Sequence, residues 1–279
     1  VSRASIQLEG APIDYVDVGS GPTLVFVHGA YVTGALWDDV VAKLSETHRC
    51  VVPTFPFGAQ ARAVGDADLG VRASGRRIHG LLDALDLSDA TMIANDTGGG
   101  IVLAALGDST LDFSRVSRLV FTNCDSFEHF PPGSFAPIVR LCALNQTVGA
   151  LVLSGLATRP GRKVFASAVT RNGIDSARQP AIFGGFLTSP SVRRDAARFT
   201  ADLKPSYTLG AAQALKSWPT PVLMAWGDGD KMFPVAHARR LAETFPKATV
   251  RIIEGSSTYV MLDQPGQTST AIAEFVTRG

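Results

Sequence analysis

Short apolar, β-rich runs separated by helical stretches constrain the fold of this chain more than any other feature. They read TLVFVHG (23–29), RCVVPTF (49–55), ATMIAND (90–96), RLVFTNCD (118–125), PVLMAWGD (221–228) and TVRIIEG (249–255). Each is apolar without alternation. That pattern suits a strand covered on both faces, as in a parallel sheet sandwiched by helices. Within 72–86, Ile78, Leu81, Leu82 and Leu85 fall on one helical stripe. A last helix is expected to open at Pro265 and to bury Ile272, Phe275 and Val276. The alternation predicts a doubly wound, mostly parallel α/β sheet.

Residues 126–215 break this rhythm. They hold no buried-strand pattern and are rich in Pro, Gly, Arg and helical pieces such as SVRRDAARFTADL. They are expected to form a helical cap, joined through PPG (131–133) and KPSYTLG (204–210). The core would then comprise 1–125 and 216–279. A cap over the C-terminal edge of a sheet is a natural place for an apolar pocket. With 26 basic against 25 acidic residues, nothing in the charge balance favours nucleic acid or an anionic membrane as partner; a small molecule is expected instead. The three cysteines, Cys50, Cys124 and Cys142, are too scattered for a disulfide framework or a zinc cluster. VSRASIQLEG at the start lacks the apolar run of a secretion signal, and VGALVLSGLA is too short to span a bilayer. A cytoplasmic location is the expectation.

The chemistry-bearing residues sit at strand ends. ANDTGGG (94–100) joins a strand to the helical IVLAAL in the small-x-nucleophile-x-small pattern of a nucleophile elbow. Asp96 occupies the nucleophile slot, at a helix N-terminus that favours negative charge. An ordinary Asn-Asp turn is the plainer alternative. In VFVHGAY (25–31), an amide at Ala30 or Tyr31 is expected to join that of Thr97 in an oxyanion hole; His28 itself reads as a structural loop histidine. In WGDGDKMFP (226–234), Asp230 stands where an acid would orient a base, or where a helix cap would lie, and Asp228 reads as a turn residue.

Together VFVHGA, ANDTGG, WGDGDKMFP and YVMLDQP, in this order and spacing, resemble the α/β-hydrolase superfamily across nearly the whole chain. The Asp elbow resembles the haloalkane dehalogenase and epoxide hydrolase branch. In that branch an aspartate attacks carbon and a His-activated water hydrolyses the resulting ester. The resemblance implies the α/β-hydrolase fold and no cofactor. It also exposes departures. Thr97 follows the nucleophile where those enzymes usually carry Trp. Tyr207 is the cap's only tyrosine, so the pair that grips an epoxide oxygen is missing. Thr258 stands where the catalytic His is expected.

A threonine hydroxyl accepts no proton near neutral pH. Loss of a triad His costs on the order of 10⁶ in turnover, roughly 8 kcal/mol of barrier. Attack by Asp96 needs no base, but hydrolysis of the ester does. Of the five histidines, His129 is placed best to stand in. Asp125 and Glu128 are alternative acids, while His48, His79 and His237 lie by pattern away from the elbow. Ser256 and Ser257 also depart from the usual small-Gly pair, which points to drift or repurposing rather than a designed knockout of the base. Repurposed non-hydrolytic chemistry is therefore expected: a lyase, isomerase or cyclase with Asp96 as acid/base. A hydrolase of an epoxide, halide or activated ester, using Asp96 and a stand-in base, is the alternative. A non-catalytic small-molecule binder is a further one.

Overall fold

The computed structural model describes residues 2–277. One eight-stranded sheet runs through the described residues in the order β1-β2-β4-β3-β5-β6-β7-β8. The strands are β1 (Ser2–Leu8), β2 (Ala11–Val18), β3 (Thr23–Val27), β4 (Arg49–Thr54), β5 (Ala90–Asn95), β6 (Val116–Cys124), β7 (Val222–Gly227) and β8 (Ala248–Ile253). β1 and β2 pair antiparallel, as do β2 and β4; every other neighbouring pair is parallel. β3 and β5–β7 are the buried centre, with nearly every residue buried, as a parallel strand covered on both faces requires. β3–β8 each lie within the apolar run that predicted them or within two residues of it.

β1 and β2 were not legible in the same way. β1 is almost wholly exposed and its sequence, SRASIQL, is mostly polar. An antiparallel edge pair with one face in water needs no continuous apolar run, so the signal used for the others is missing.

The helices of the core are α1 (Asp38–Leu44), α2 (Val71–Ala84) and α3 (Asp96–Leu106). Between β6 and β7 the chain forms α4 (Ala136–Leu144), α5 (Gln146–Leu156), α6 (Arg159–Val169), α7 (Gln179–Thr188), α8 (Pro190–Ala201) and α9 (Ser206–Leu215). α10 (Val235–Ala242), α11 (Val260–Asp263) and α12 (Pro265–Thr277) complete the chain. The expected linker KPSYTLG is in fact mostly helix: Ser206 to Gly210 open α9. That helix seats closely on the end of α3, where a Cβ on Gly107 would lie 2.5 Å from the Ala211 Cα. α12 buries Ile272 and Val276 as expected, but Phe275 is only half-buried, beside a surface groove along β8.

Buried polar side chains tie the helical segment to the sheet. Asp195 on α8 accepts from Gln60 Nε2 at 3.1 Å and from the Val64 amide at 2.9 Å. Asp263 on α11 accepts from the amides of Arg171, Asn172 and Ser257 at 2.9–3.1 Å. The three cysteines are free and buried.

Candidate active site

β5 ends at Asn95 and α3 begins at Asp96, whose φ of 51° lies in the left-handed region. A non-glycine residue is held there only when its surroundings over-determine it. Those surroundings are tight. A Cβ on Gly98 would sit 2.3 Å from the His28 carbonyl oxygen, and one on Gly29 would sit 2.1 Å from Asp96 Oδ2. The small residues flanking the elbow are thus a packing necessity. Asn95, just before the turn, donates from Nδ2 to Thr122 Oγ1 (2.8 Å), the Asn123 carbonyl (3.1 Å) and the Thr258 carbonyl (2.9 Å). It pins the elbow to β6 and to the loop carrying Thr258.

Burial pushes the Asp96 carboxyl up to about 7, and the charge of Asp230 adds to the rise; the backbone amides of Thr97 and Ala30 offset part of it. The two amides therefore serve the Asp96 carboxylate itself. Tyr31 does not join them. Its amide donates to the Phe57 carbonyl at 3.0 Å, so of the two expected positions only Ala30 directs its amide at Asp96. The Tyr31 phenol instead meets Thr200 Oγ1 on α8 at 2.6 Å, with Tyr31 at φ 61°.

His28 is fully buried and both ring nitrogens are committed. Nε2 accepts from the Phe55 amide at 2.9 Å, which leaves Nδ1 to donate to the Gly29 carbonyl at 2.8 Å. Burial pushes it down to about 4, so it stays neutral. It fixes the loop that presents the Ala30 amide.

Asp230 lies past β7 and is surrounded by donors. Oδ1 accepts from the amides of Met232 (2.8 Å) and Phe233 (3.0 Å); Oδ2 accepts from Asn123 Nδ2 (2.9 Å) and Thr258 Oγ1 (2.8 Å). Burial raises its pKa, against the pull of these four donors. The Thr258 hydroxyl is fully buried and spends its proton on Asp230. Asp228 accepts from the amides of Gly255 and Ser256, tying the β7 turn to the loop after β8.

Asp125 follows β6 and is bridged to the elbow through its amide, which donates to the Asp96 carbonyl at 3.3 Å. Its carboxyl is fully buried and neither oxygen has a well-formed hydrogen bond. Burial and the Asp96 charge hold its pKa well above the usual carboxylate range, with the Thr97 hydroxyl offsetting only part of this. The Tyr259 hydroxyl is likewise buried without a partner and feels the Asp96 charge.

His129 is not brought to this site. Its ring stacks on His237 with centroids 4.3 Å apart, lies 3.4 Å from Glu128, and is more than a third exposed. The segment after β6 turns it outward, while Glu128 pairs with Arg240, which pulls its carboxyl down to about 2. His48 is bonded to Thr47, and His79 to the Asp112 carbonyl. Among the described residues, no histidine lines the pocket above Asp96. The cavity above Asp96 has a volume of about 30 Å³, with Asp96 and Thr97 at its floor and Phe135, Val139, Phe165 and Val169 among its walls. No group of three or more His, Cys, Asp or Glu among the described residues is arranged to hold a metal ion.

The sequence model of the alpha/beta hydrolase family matches residues 24–271, the span from β3 into α12. The chain belongs to the alpha/beta hydrolase family. Within it, the chain is 26% identical over 292 residues to the cis-3-alkyl-4-alkyloxetan-2-one decarboxylase of Shewanella oneidensis, covering 99% of this chain and 88% of that protein. It is also 26% identical over 289 residues to haloalkane dehalogenase 2 of Mycobacterium tuberculosis, covering 94% and 90%. Among solved structures, a putative ancestral haloalkane dehalogenase superposes with a TM-score of 0.81 at 17% identity, covering 99% and 98%. An alpha/beta hydrolase fold protein from Burkholderia ambifaria superposes at 0.82 with 22% identity, covering 97% of each chain. Relatives similar to this chain over most of its length thus include a decarboxylase and a haloalkane dehalogenase.

Asn123 and Asp263 were missed by sequence reasoning. Asn123 lies inside an apolar strand and reads as part of it, although a buried Asn in a strand does demand partners. Asp263 stands in the YVMLDQP stretch, where its acidic character was visible but its amide partners, distant in sequence, were not.

Proposed function

We propose that the protein is an enzyme acting on a small, mostly apolar organic molecule by non-hydrolytic chemistry, as a lyase, isomerase or cyclase. The chain from β6 to β7, residues 126–215, serves as the cap that encloses the substrate, with 1–125 and 216–279 as the catalytic core. Asp96 acts as the acid/base. The observation that carries this is the state of Asp96: buried on a strained elbow beneath an apolar pocket, its carboxyl at about 7 and no imidazole facing it. A group that titrates near the working pH both takes and returns a proton effectively. The ionised carboxylate would remove a proton from a carbon next to a carbonyl. The Thr97 and Ala30 amides would share their donation with the developing oxyanion, and the protonated carboxyl would return the proton elsewhere.

Thr258 takes the histidine's place as a proton donor to Asp230, and so keeps that carboxylate satisfied rather than activating water. The likeness to a decarboxylase supports a non-hydrolytic outcome on this scaffold.

A second reading is favoured by the likeness to haloalkane dehalogenases: Asp96 as nucleophile toward a halide, epoxide or activated ester. It requires a group that activates water. Burial and the Asp96 charge raise the Asp125 pKa well above the usual carboxylate range, which disfavours the ionised form a base needs, and His129 faces away.

Two measurements separate the readings. Intact-protein mass spectrometry after exposure to haloalkanes, epoxides and activated esters should find no adduct on Asp96. In deuterated water, a carbonyl compound that binds the pocket should acquire deuterium at the adjacent carbon, and Asp96→Asn should abolish this. A stable Asp96 ester with no deuterium uptake would overturn the proposal in favour of the nucleophilic reading.

A further inference from the structure

We infer that the outer face of α4–α6 is a docking surface for an anionic lipid bilayer. α5 buries Gly149, Ala150 and Leu153 against the neighbouring helices, α8 among them. Its opposite face carries Val148, Leu151 and Val152, which are 41%, 73% and 48% exposed. Positions i, i+3 and i+4 share one helical face. Leu144, at the end of α4 beside the Asn145 cap of α5, is 85% exposed, and Val164 on α6 is 66% exposed. Among the described residues, five of the eight exposed large apolar side chains are gathered in this short segment. Clustered apolar exposure of this kind marks an interaction site, whereas scattered exposure does not.

Charge selects the partner. No acidic residue lies between Glu128 and Asp175, whereas Arg140, Arg159, Arg162, Lys163 and Arg171 do. Arg140, Arg159 and Lys163 are exposed. The chain as a whole is balanced at 26 basic to 25 acidic residues, so this segment is a local cationic excess around an apolar face. Such a combination binds interfacially, with apolar side chains in the acyl boundary and cations at anionic headgroups. A second copy of the chain is a poorer match, because a two-fold contact would set these cations against themselves. The global charge balance had suggested no membrane partner; the local distribution reverses that expectation for a peripheral contact. No helix among the described residues is long and apolar enough to cross a membrane.

The inference rests on the proposed apolar substrate in one respect. α4 and α6 present Val139, Phe165 and Val169 to the pocket while their outer sides belong to the docking face. A substrate dissolved in the bilayer would then enter through the helices that touch it.

The test is co-sedimentation of the full chain with phosphatidylcholine vesicles and with vesicles containing phosphatidylglycerol, at low and high salt. The expected result is pelleting with the anionic vesicles, weaker by about tenfold in high salt or on neutral vesicles. Leu151→Ser with Leu144→Ser should lower it by about tenfold or more. Arg159→Glu with Lys163→Glu should do the same. All four side chains are exposed, so thermal melting should be unchanged and confirms folding. Asp96→Asn should pellet like the wild type, which separates this inference from the catalytic reading. Failure to pellet with anionic vesicles overturns it. So does pelleting that survives the Leu144/Leu151 change. Retardation by polyglutamate without vesicle binding overturns it in favour of an acidic protein partner. Leu151-dependent dimers in sedimentation velocity, without vesicle binding, overturn it in favour of a second copy.

Discussion

Asp96, Asp230 and Thr258 form a chain of dependence in which each residue sets the state of the next. Asp230 sits among four donors, and its charge adds to the rise that holds Asp96 at about 7. Asp230→Asn should therefore lower the Asp96 titration, as read by carbon NMR of labelled carboxyl groups; an unmoved or raised value would show that burial alone sets it. Thr258→His replaces a hydroxyl committed to Asp230 with a larger group that takes a positive charge. Next to Asp96 that charge should pull the carboxyl back toward its usual range and reduce deuterium uptake at the substrate carbon. A Thr258→His variant that gains halide or epoxide hydrolysis with deuterium uptake intact would refute repurposing. The sign of the pH effect follows from the direction of the Asp96 shift. Its folded pKa, about 7, lies above the ordinary 3.8, so stability is intact below about pH 4 and falls as pH rises through 7. The rise corresponds to about 4 kcal/mol at most. Asp96→Asn should accordingly be more stable than the wild type at pH 8 and little different at pH 4, in urea unfolding at both values.

At the scale of elements, the elbow works because two backbones approach where no side chain fits. Gly98→Ala would drive a Cβ into the His28 carbonyl, which is backbone and cannot swing aside. It should cost about 2–4 kcal/mol by displacing β3 from α3. Gly29→Ala meets the Asp96 side chain instead, with Oδ2 at 2.1 Å and Cβ at 2.7 Å, so it displaces that carboxylate from the Thr97 and Ala30 amides. It should cost less stability than Gly98→Ala and abolish Asp96-dependent activity. The reverse ranking, measured by denaturant titration, would contradict the close approach assigned to Gly98. α11 contributes through Asp263, whose carboxylate gathers amides from residues 171, 172 and 257. Asp263→Ala should cost about 2 kcal/mol, because the buried Ser257 amide and the part-buried amides of Arg171 and Asn172 lose their acceptor. It should also loosen the loop carrying Thr258, visible as faster amide exchange at 256–259.

For the whole molecule, the buried carboxyls act in the same direction. Asp96, Asp125 and Asp230 are all raised, chiefly by burial. Each contributes stability that is present at acidic pH and lost as pH rises through its folded value. These carboxyls should thus favour pH 5 over pH 8, opposite to ion-paired surface carboxylates, while buried His28, held at about 4, works against them as pH falls below its ordinary 6.5. Thermal melting across that range checks it. Removing Asp96 alone should flatten only part of the slope. The helices between β6 and β7 couple to the same centre through Tyr31 and Thr200, and through Asp195 and the loop at Gln60 and Val64. α8 is thus bonded directly to Tyr31, the residue after Ala30.

What the sequence determined by itself was whatever local pattern encodes. Continuous apolar runs mark strands buried on both faces, so β3–β8 and their parallel pairing were legible. The small residues around Asp96 mark a turn where backbones must approach, so the elbow was legible too. The antiparallel pair β1 and β2 at the sheet edge and the start of α9 were not, because their partners, rather than their own patterns, stabilise them. Tertiary structure alone decided the electrostatic state of the site. Whether Asp96 titrates near 7 depends on desolvation by walls contributed from residues 135, 139 and 165, and on a charge 134 positions away at Asp230. It decided that Tyr31 spends its amide on Phe57, and that His129 turns outward to His237. Residue identity limits which atoms are available to accept or release a proton. Which of them face each other, and out of how much water, is set only when the chain closes on itself.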